Sequence, residues 1–158
     1  MEIIEPPQVV TLPERHYAGI RTVTPFKGMF QVRDRLMKDL HARFERGDTF
    51  FRLHVIDMAG EMDVEVGVVT DAAVAPDGPV RPGVLPAGDY ATMTFIGHGR
   101  RANGTLLEWI RGHGLAMDCV ENPAGDRFGC RYELYRTDPR TERMKTRWQT
   151  QLGIRLDS

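Results

Sequence analysis

Two stretches of this chain resemble each other: residues 15–23 read RHYAGIRTV, and residues 88–96 read GDYATMTFI. Both place a Tyr-Ala pair near the start of a run in which apolar and polar residues alternate, the pattern of a half-buried β-strand. Each run is followed by a helical pattern and then by two more strand-like runs. We therefore expect two copies of a strand-helix-strand-strand unit.

In the first half, apolar residues between Phe26 and Phe44 recur mostly at steps of three and four, which indicates one apolar face of a helix. Thr24 is placed to cap this helix, Pro25 suits its first turn and Gly47 suits its end. In the second half a shorter helix is expected around Ala102 to Ile110, ending before Gly114.

The remaining strand-like runs cover residues 50–56, 62–69, 130–136 and 148–156, and residues 64–68 align with 150–154 without a gap. Residues 70–82, rich in proline, are expected to connect the halves, and Pro7–Leu12 should add an edge strand. The predicted fold class is α+β: a duplicated strand-helix-strand-strand repeat with pseudo-two-fold symmetry. Its antiparallel sheet would carry the helices on one face and a ligand groove on the other. We expect a single domain, 1–158, with repeat one at about 7–70 and repeat two at about 83–156.

Composition excludes several function classes. The net charge is −1 and no long block of one sign occurs, which argues against direct nucleic acid binding by this chain. Two cysteines and five histidines without close ligand spacing predict no metal and no cofactor, and thiols that stay reduced. The N-terminus lacks a signal pattern, and no apolar run approaches the roughly 20 residues of a bilayer span. We expect a cytoplasmic protein with no membrane contact, as a monomer or homodimer.

The alternation of the strands predicts a polar and aromatic set on the helix-free face: Tyr17, Tyr90, Tyr135, Arg52, His54, Glu65, Glu133 and Gln151. Aromatic rings that converge with a carboxylate are typical of a pocket for a flat, partly cationic ligand. Polar residues are also normal on a solvent face, and either glutamate could merely pair with Arg52 or Arg131. This alternative stays open.

Four runs carry a family resemblance: FRLHVIDM (51–58), MDVEVGV (62–68), LPAGDYAT (85–92) and ELYRTDP (133–139). Together with WQTQL (148–152) they resemble GyrI-like small-molecule-binding domains, over about 7–156. The resemblance implies a duplicated fold with a ligand groove between the repeats. It also implies that Glu133, on the strand before Thr-Asp-Pro, is the ligand-facing charge. The family often has Thr-Glu where this chain has Thr150-Gln151, which weakens any mechanism that needs a second carboxylate there.

The family includes effector-sensing parts of multidrug-response transcription regulators, a gyrase inhibitor and standalone hydrolases that open the cyclopropane of DNA alkylators. We therefore expect a small organic ligand, aromatic or cationic, as the partner. The alternative is a hydrolase of electrophilic small molecules, and gyrase inhibition through protein contact is a third hypothesis. The candidate ligand-binding residues are Glu133, Tyr135, Tyr90, Tyr17, Glu65, His54, Arg52, Trp109 and Trp148. If the protein is a hydrolase, the catalytic candidates are Glu133, Tyr90 and Glu65.

Overall fold

The computed structural model describes residues 1–157, and over these residues ten strands and two α-helices follow one another. In chain order they are β1 (Glu2–Leu12), β2 (Arg15–Pro25), α1 (Met29–His41), β3 (Thr49–Ile56), β4 (Glu61–Val69), β5 (Arg81–Leu85), β6 (Gly88–Ile96), α2 (Gly99–Gly112), β7 (Cys119–Val120), β8 (Asp126–Phe128), β9 (Arg131–Tyr135) and β10 (Gln149–Arg155). Within residues 1–157 neither helix is long and apolar enough to cross a bilayer.

The strands form one antiparallel sheet in the order β1-β6-β10-β9-β3-β4-β2-β5, and the short β8 pairs with β3 and β7. The edge strand β1, from the first half, lies beside β6; inside it, β6, β10 and β9 come from the second half of the chain and β3, β4 and β2 from the first. They meet where β3 pairs with β9, and there Phe51 lies opposite Glu133. The α+β class and the antiparallel sheet predicted from the sequence are confirmed.

Both helices pack on the same face of the sheet. α1 packs on a core that includes Phe51, and α2 packs on a core that includes Leu152. Glu133 is the register partner of both of these residues, so all three side chains lie side by side on one face. The two helices thus cover neighbouring parts of the face, and β9 runs beneath the space between them.

The start of α1 differs from the expectation. Thr24 and Pro25 still pair with β4, so the helix begins only at Met29, after Gly28, whose φ is +84°. Thr24 bonds the carbonyl of Pro25 instead of capping the helix. The helix also ends at His41, six residues before Gly47, and neither predicted boundary is right.

The connection between the halves contains a strand that the sequence pattern did not predict. β5 pairs with β2 along the far edge of the sheet. The duplication itself stays a prediction. The register agrees with it: Gly19 pairs with Gly67 in the first half, and Thr92 pairs with Gly153 in the second.

The helix-free face, on which a groove was expected, is filled with side chains. Its buried cluster is Tyr17, Phe50, Leu85, Tyr90, Cys130, Tyr132 and Leu134. Arg52 of β3 donates to the carbonyl of Val84 in β5, across the two intervening strands β4 and β2. The sheet therefore bends towards this face, and its own strands and turns cover it. Both cysteines, Cys119 and Cys130, are free thiols.

Candidate functional site

Glu133 lies on the helix-bearing face, beneath the space between α1 and α2. The expectation that Glu133 and Tyr135 face away from the helices is wrong. β9 is a central strand, and its residues Tyr132 and Leu134 are buried on the opposite face. When both faces of a strand are buried, the alternation of its residues alone does not show which face packs against the helices.

A chain of hydrogen bonds connects α1 to Glu133. The hydroxyl of Tyr135 donates to Oε2 of Glu133 at 3.0 Å, and Nη1 of Arg33 donates to the same hydroxyl at 3.1 Å. Oε1 of Glu133 points towards Gly99, the first residue of α2. Glu133 is only partly buried. Its carboxylate is thus held between the two helices and remains accessible.

The guanidinium of Arg33 is surrounded by aromatic rings. Its central carbon lies 5.0 Å from the ring centre of Phe30, 5.5 Å from that of Tyr135 and 5.5 Å from that of Trp148. These three residues are called the aromatic box below. Arg33 is only 5% exposed, so the cation–π contacts form in a largely desolvated place. The box therefore holds a cation that belongs to the chain itself.

Sequence reasoning missed Arg33, although its position carries a signal. The core-facing residues of α1 are Met29, Leu36, Met37 and Leu40, and Arg33 lies in the same stripe, one turn after Met29. An arginine in an apolar stripe needs partners because burying an unpaired charge is costly. Arg33 is the charged member of an otherwise apolar stripe, and apolar periodicity alone does not reveal it.

The charges around the site are nearly balanced. Asp34 forms ion pairs with Arg33 and with Lys145. On the other side, Arg131 donates to Asn103 of α2 at 3.0 Å, and burial of the guanidinium lowers the pKa of Arg131.

Burial, and then the charge of Glu133, raises the pKa of Tyr135 well above its usual range. Tyr135 is therefore a phenol at neutral pH and a hydrogen-bond donor to Glu133.

Four of the candidates form a separate network on the helix-free face. The hydroxyl of Tyr17 donates to Oε1 of Glu65 at 2.7 Å, and Nε2 of His54 lies 2.8 Å from the same oxygen. Nη1 of Arg52 donates to the Tyr17 hydroxyl at 3.0 Å. Glu65 is buried, and its oxygen Oε1 is bonded within the network. Glu65 is thus paired within the protein, as the alternative interpretation of the sequence expects. Its partners, however, are Tyr17 and His54 rather than Arg52.

Tyr90 and Trp109 are also apart from Glu133. Tyr90 is fully buried, and its hydroxyl donates to the carbonyl of Pro86 at 2.6 Å. Trp109 lies on α2 against His113, with ring centres 4.3 Å apart. The structure thus brings Glu133, Tyr135 and Trp148 together. The catalytic candidates Tyr90 and Glu65 face away from Glu133, across the sheet, so the three cannot act on one substrate atom.

Comparison with known proteins identifies the family. The family model of the GyrI-like small molecule binding domain matches residues 5–157. Among solved structures, the C-terminal domain of EcmrR is similar at a TM-score of 0.71 and 17% identity, covering 98% of this chain and 99% of that one. SAV2435, solved bound to tetraphenylphosphonium, has a TM-score of 0.61 and 12% identity, covering 100% and 95% of the two chains.

A hydrolase from Listeria innocua is similar at a TM-score of 0.65 and 12% identity, covering 97% of this chain and 92% of that one. No curated protein sequence matches the chain. At these identities the structural likenesses show the fold alone, whereas the family model spans nearly every residue. The chain therefore belongs to the GyrI-like small-molecule-binding domain family.

Proposed function

We propose that this domain binds an aromatic, cationic organic ligand in the space between α1 and α2. The aromatic box of Phe30, Tyr135 and Trp148 forms the walls, and Glu133 supplies the negative charge. The observation that carries the proposal is the guanidinium of Arg33 within the box. A place that holds a nearly buried guanidinium against three rings has the surroundings that a ligand cation requires.

The ligand would replace the contacts of Arg33 rather than enter an empty cavity. Arg33 is on a helix whose outer side faces solvent, and its partner Asp34 is partly exposed. A displaced guanidinium can therefore regain water while it keeps a carboxylate nearby. The ligand would contact the three rings in place of the guanidinium. It would also lie close to Glu133, whose negative charge would then pair with the positive charge of the ligand. SAV2435, a structural neighbour that binds tetraphenylphosphonium, supports this ligand class.

Titration of tetraphenylphosphonium against wild-type protein and Glu133→Gln tests the proposal by calorimetry. The amide keeps the shape of the side chain but removes its charge, so affinity should fall by about 5- to 30-fold, or about 1–2 kcal/mol. Glu108→Gln is the matched control, because Glu108 is an exposed glutamate of α2 outside the box, and it should bind like wild type. Equal affinity of wild type and Glu133→Gln would contradict the assignment of Glu133.

A second candidate function is hydrolysis of an electrophilic small molecule, such as a cyclopropane-bearing alkylator. The hydrogen bond from Tyr135 to Glu133 favours it, because Glu133 is then oriented to take a proton from water. Tyr135, whose pKa is raised, stays protonated, so its single hydroxyl proton remains on the hydrogen bond that orients Glu133. The hydrolase from Listeria innocua among the structural neighbours supports this hypothesis.

Turnover separates the two functions. In a hydrolase, Glu133→Gln should lose about 10²- to 10⁴-fold in rate while affinity for an uncharged substrate is kept. In a binder of cations, wild type should show saturable binding and no product. Product formation that is equal in wild type and Glu133→Gln would exclude Glu133 as the base.

A further inference from the structure

The structure assigns a second ligand site, for an amphipathic organic anion, to a cavity on the outer flank of α1. The cavity has a volume of about 490 Å³ and lies between α1 and the segment that leads from β9 to β10. We call it the flank cavity; it is lined by Met37, Lys38, His41, Pro139, Arg143 and Trp148, among others. Glu133, Phe30 and Tyr135 do not line it, so of the residues assigned to the site proposed above the flank cavity shares only Trp148.

The outer wall of the flank cavity is held in place by defined bonds. Arg140 donates to the carbonyl of Glu45 at 2.9 Å, and Lys145 forms an ion pair with Asp34 of α1. The indole nitrogen of Trp148 donates to the carbonyl of Glu142 at 2.7 Å. The first two bonds tie this segment to α1 and to the residues that follow α1, and the third holds Trp148 within its own segment. The cavity is therefore part of the folded structure.

The inner surface of the cavity is apolar. Met37 and Trp148 are buried members of the core around α1, and both also line the cavity. Trp148 packs against Tyr135, with ring centres 5.2 Å apart, which keeps the indole in one orientation. A flat hydrocarbon or aromatic body would find here the apolar contact that ligand sites usually supply.

The charged side chains at the cavity are predominantly positive. Its cations are Lys38, Arg140, Arg143 and Lys145, and Asp34 is its one carboxylate within the part of the chain that the structure describes. Asp34 already forms ion pairs with Arg33 and Lys145, which offset its negative charge. It therefore attracts a ligand cation only weakly.

Two of these cations have no carboxylate partner among the described residues. Lys38 and Arg143 form no ion pair with any residue between 1 and 157, whereas Arg140 is paired with Asp138. Burial, and then the positive charge of Arg140, lowers the pKa of His41, which agrees with a positive local potential. Apolar walls beside such cations suit a carboxylate, sulfonate or phosphate on an aromatic body.

Fluorescence can report on this site directly. The chain has two tryptophans, so a Trp109→Phe background leaves Trp148 as the only indole. We expect 2-naphthalenesulfonate to change the Trp148 emission saturably and to bind about 10-fold more tightly than the uncharged 2-naphthol. The double variant Lys38→Gln/Arg143→Gln should lower affinity for the sulfonate by about 10-fold and leave 2-naphthol within about twofold.

Arg35→Gln is the matched control, since Arg35 is an exposed arginine of α1 that does not line the cavity. It should leave sulfonate affinity within about twofold of the background protein. The site assignment is overturned if the sulfonate does not saturate, if it binds no better than 2-naphthol, or if the double variant binds it unchanged. Thermal unfolding of each variant is followed in parallel. Because Lys38, Arg143 and Arg35 are all exposed, the melting temperatures of the variants should match that of the background protein.

Discussion

Removing the side chain of Arg33 should make the protein a better receptor for organic cations. In the folded protein the guanidinium competes with any ligand for Phe30, Tyr135 and Trp148. Each cation–π contact contributes about 0.5–1 kcal/mol, taken at the low end because a displaced guanidinium regains hydration. Three contacts sum to about 1.5–3 kcal/mol, and Arg33→Ala should therefore bind tetraphenylphosphonium about 10- to 150-fold more tightly than wild type.

Calorimetric titration of the same cation into wild type, Arg33→Ala and Arg33→Lys measures this effect. Lysine keeps a positive charge on a long stem, so Arg33→Lys should bind much more like wild type. Tetraphenylborate, an anion of nearly the same shape, shows whether charge is responsible, and its affinity should not rise in Arg33→Ala. Melting temperatures confirm that the variants are folded. If Arg33→Ala binds the cation equally or more weakly than wild type, the box is a structural feature rather than a ligand site.

Three further predictions concern the stability of the fold. Gly67→Ala should destabilise the protein by about 1–3 kcal/mol, because a methyl group there would overlap the ring of Phe50; Gly104→Ala, in open space on α2, should instead stabilise it by about 0.5–1 kcal/mol. Urea unfolding measures both, and an unchanged Gly67→Ala would refute the packing argument. Burial raises the pKa of every tyrosine of the chain. These tyrosines are Tyr17, Tyr90, Tyr132 and Tyr135. Above pH 10 the unfolded chain loses phenolic protons that the folded protein keeps, so stability should fall by about 1.4 kcal/mol per pH unit for each tyrosine. A phenol that titrates near pH 10 in the folded protein, followed by absorbance, would contradict this.

Strands with one polar and one apolar face were predictable from the sequence. β6 begins and ends at Gly88 and Ile96, as the alternation indicates. In β4, Asp63 and Glu65 mark the side opposite to the helices, so its face is also right. The orientation of such strands can be predicted because their apolar residues, at every second position, mark the face that packs against the helices.

The prediction failed where this contrast is missing. β9 is covered on both faces, so Glu133 and Tyr135 were assigned to the wrong face. The candidate site was therefore expected on the face of the sheet opposite to the one that carries these two residues. The start of β5 was interpreted as the end of the proline-rich connection 70–82, although an edge strand tolerates proline such as Pro82. The box was not foreseen because Arg33 and Trp148 are far apart in sequence, and only the packing of α1 brings them together.

The prolines at the two edges of the sheet limit how copies of the chain can associate. An open sheet can extend by pairing its edge strands with another chain, which is a route to fibrils. One edge strand, β1, carries Pro6 and Pro7 where its pairing with β6 is interrupted, and the other, β5, carries Pro82. Proline has no amide hydrogen, so each edge offers an incomplete row of donors. Extension of the sheet from copy to copy is thereby disfavoured, and a homodimer would be expected to use another surface.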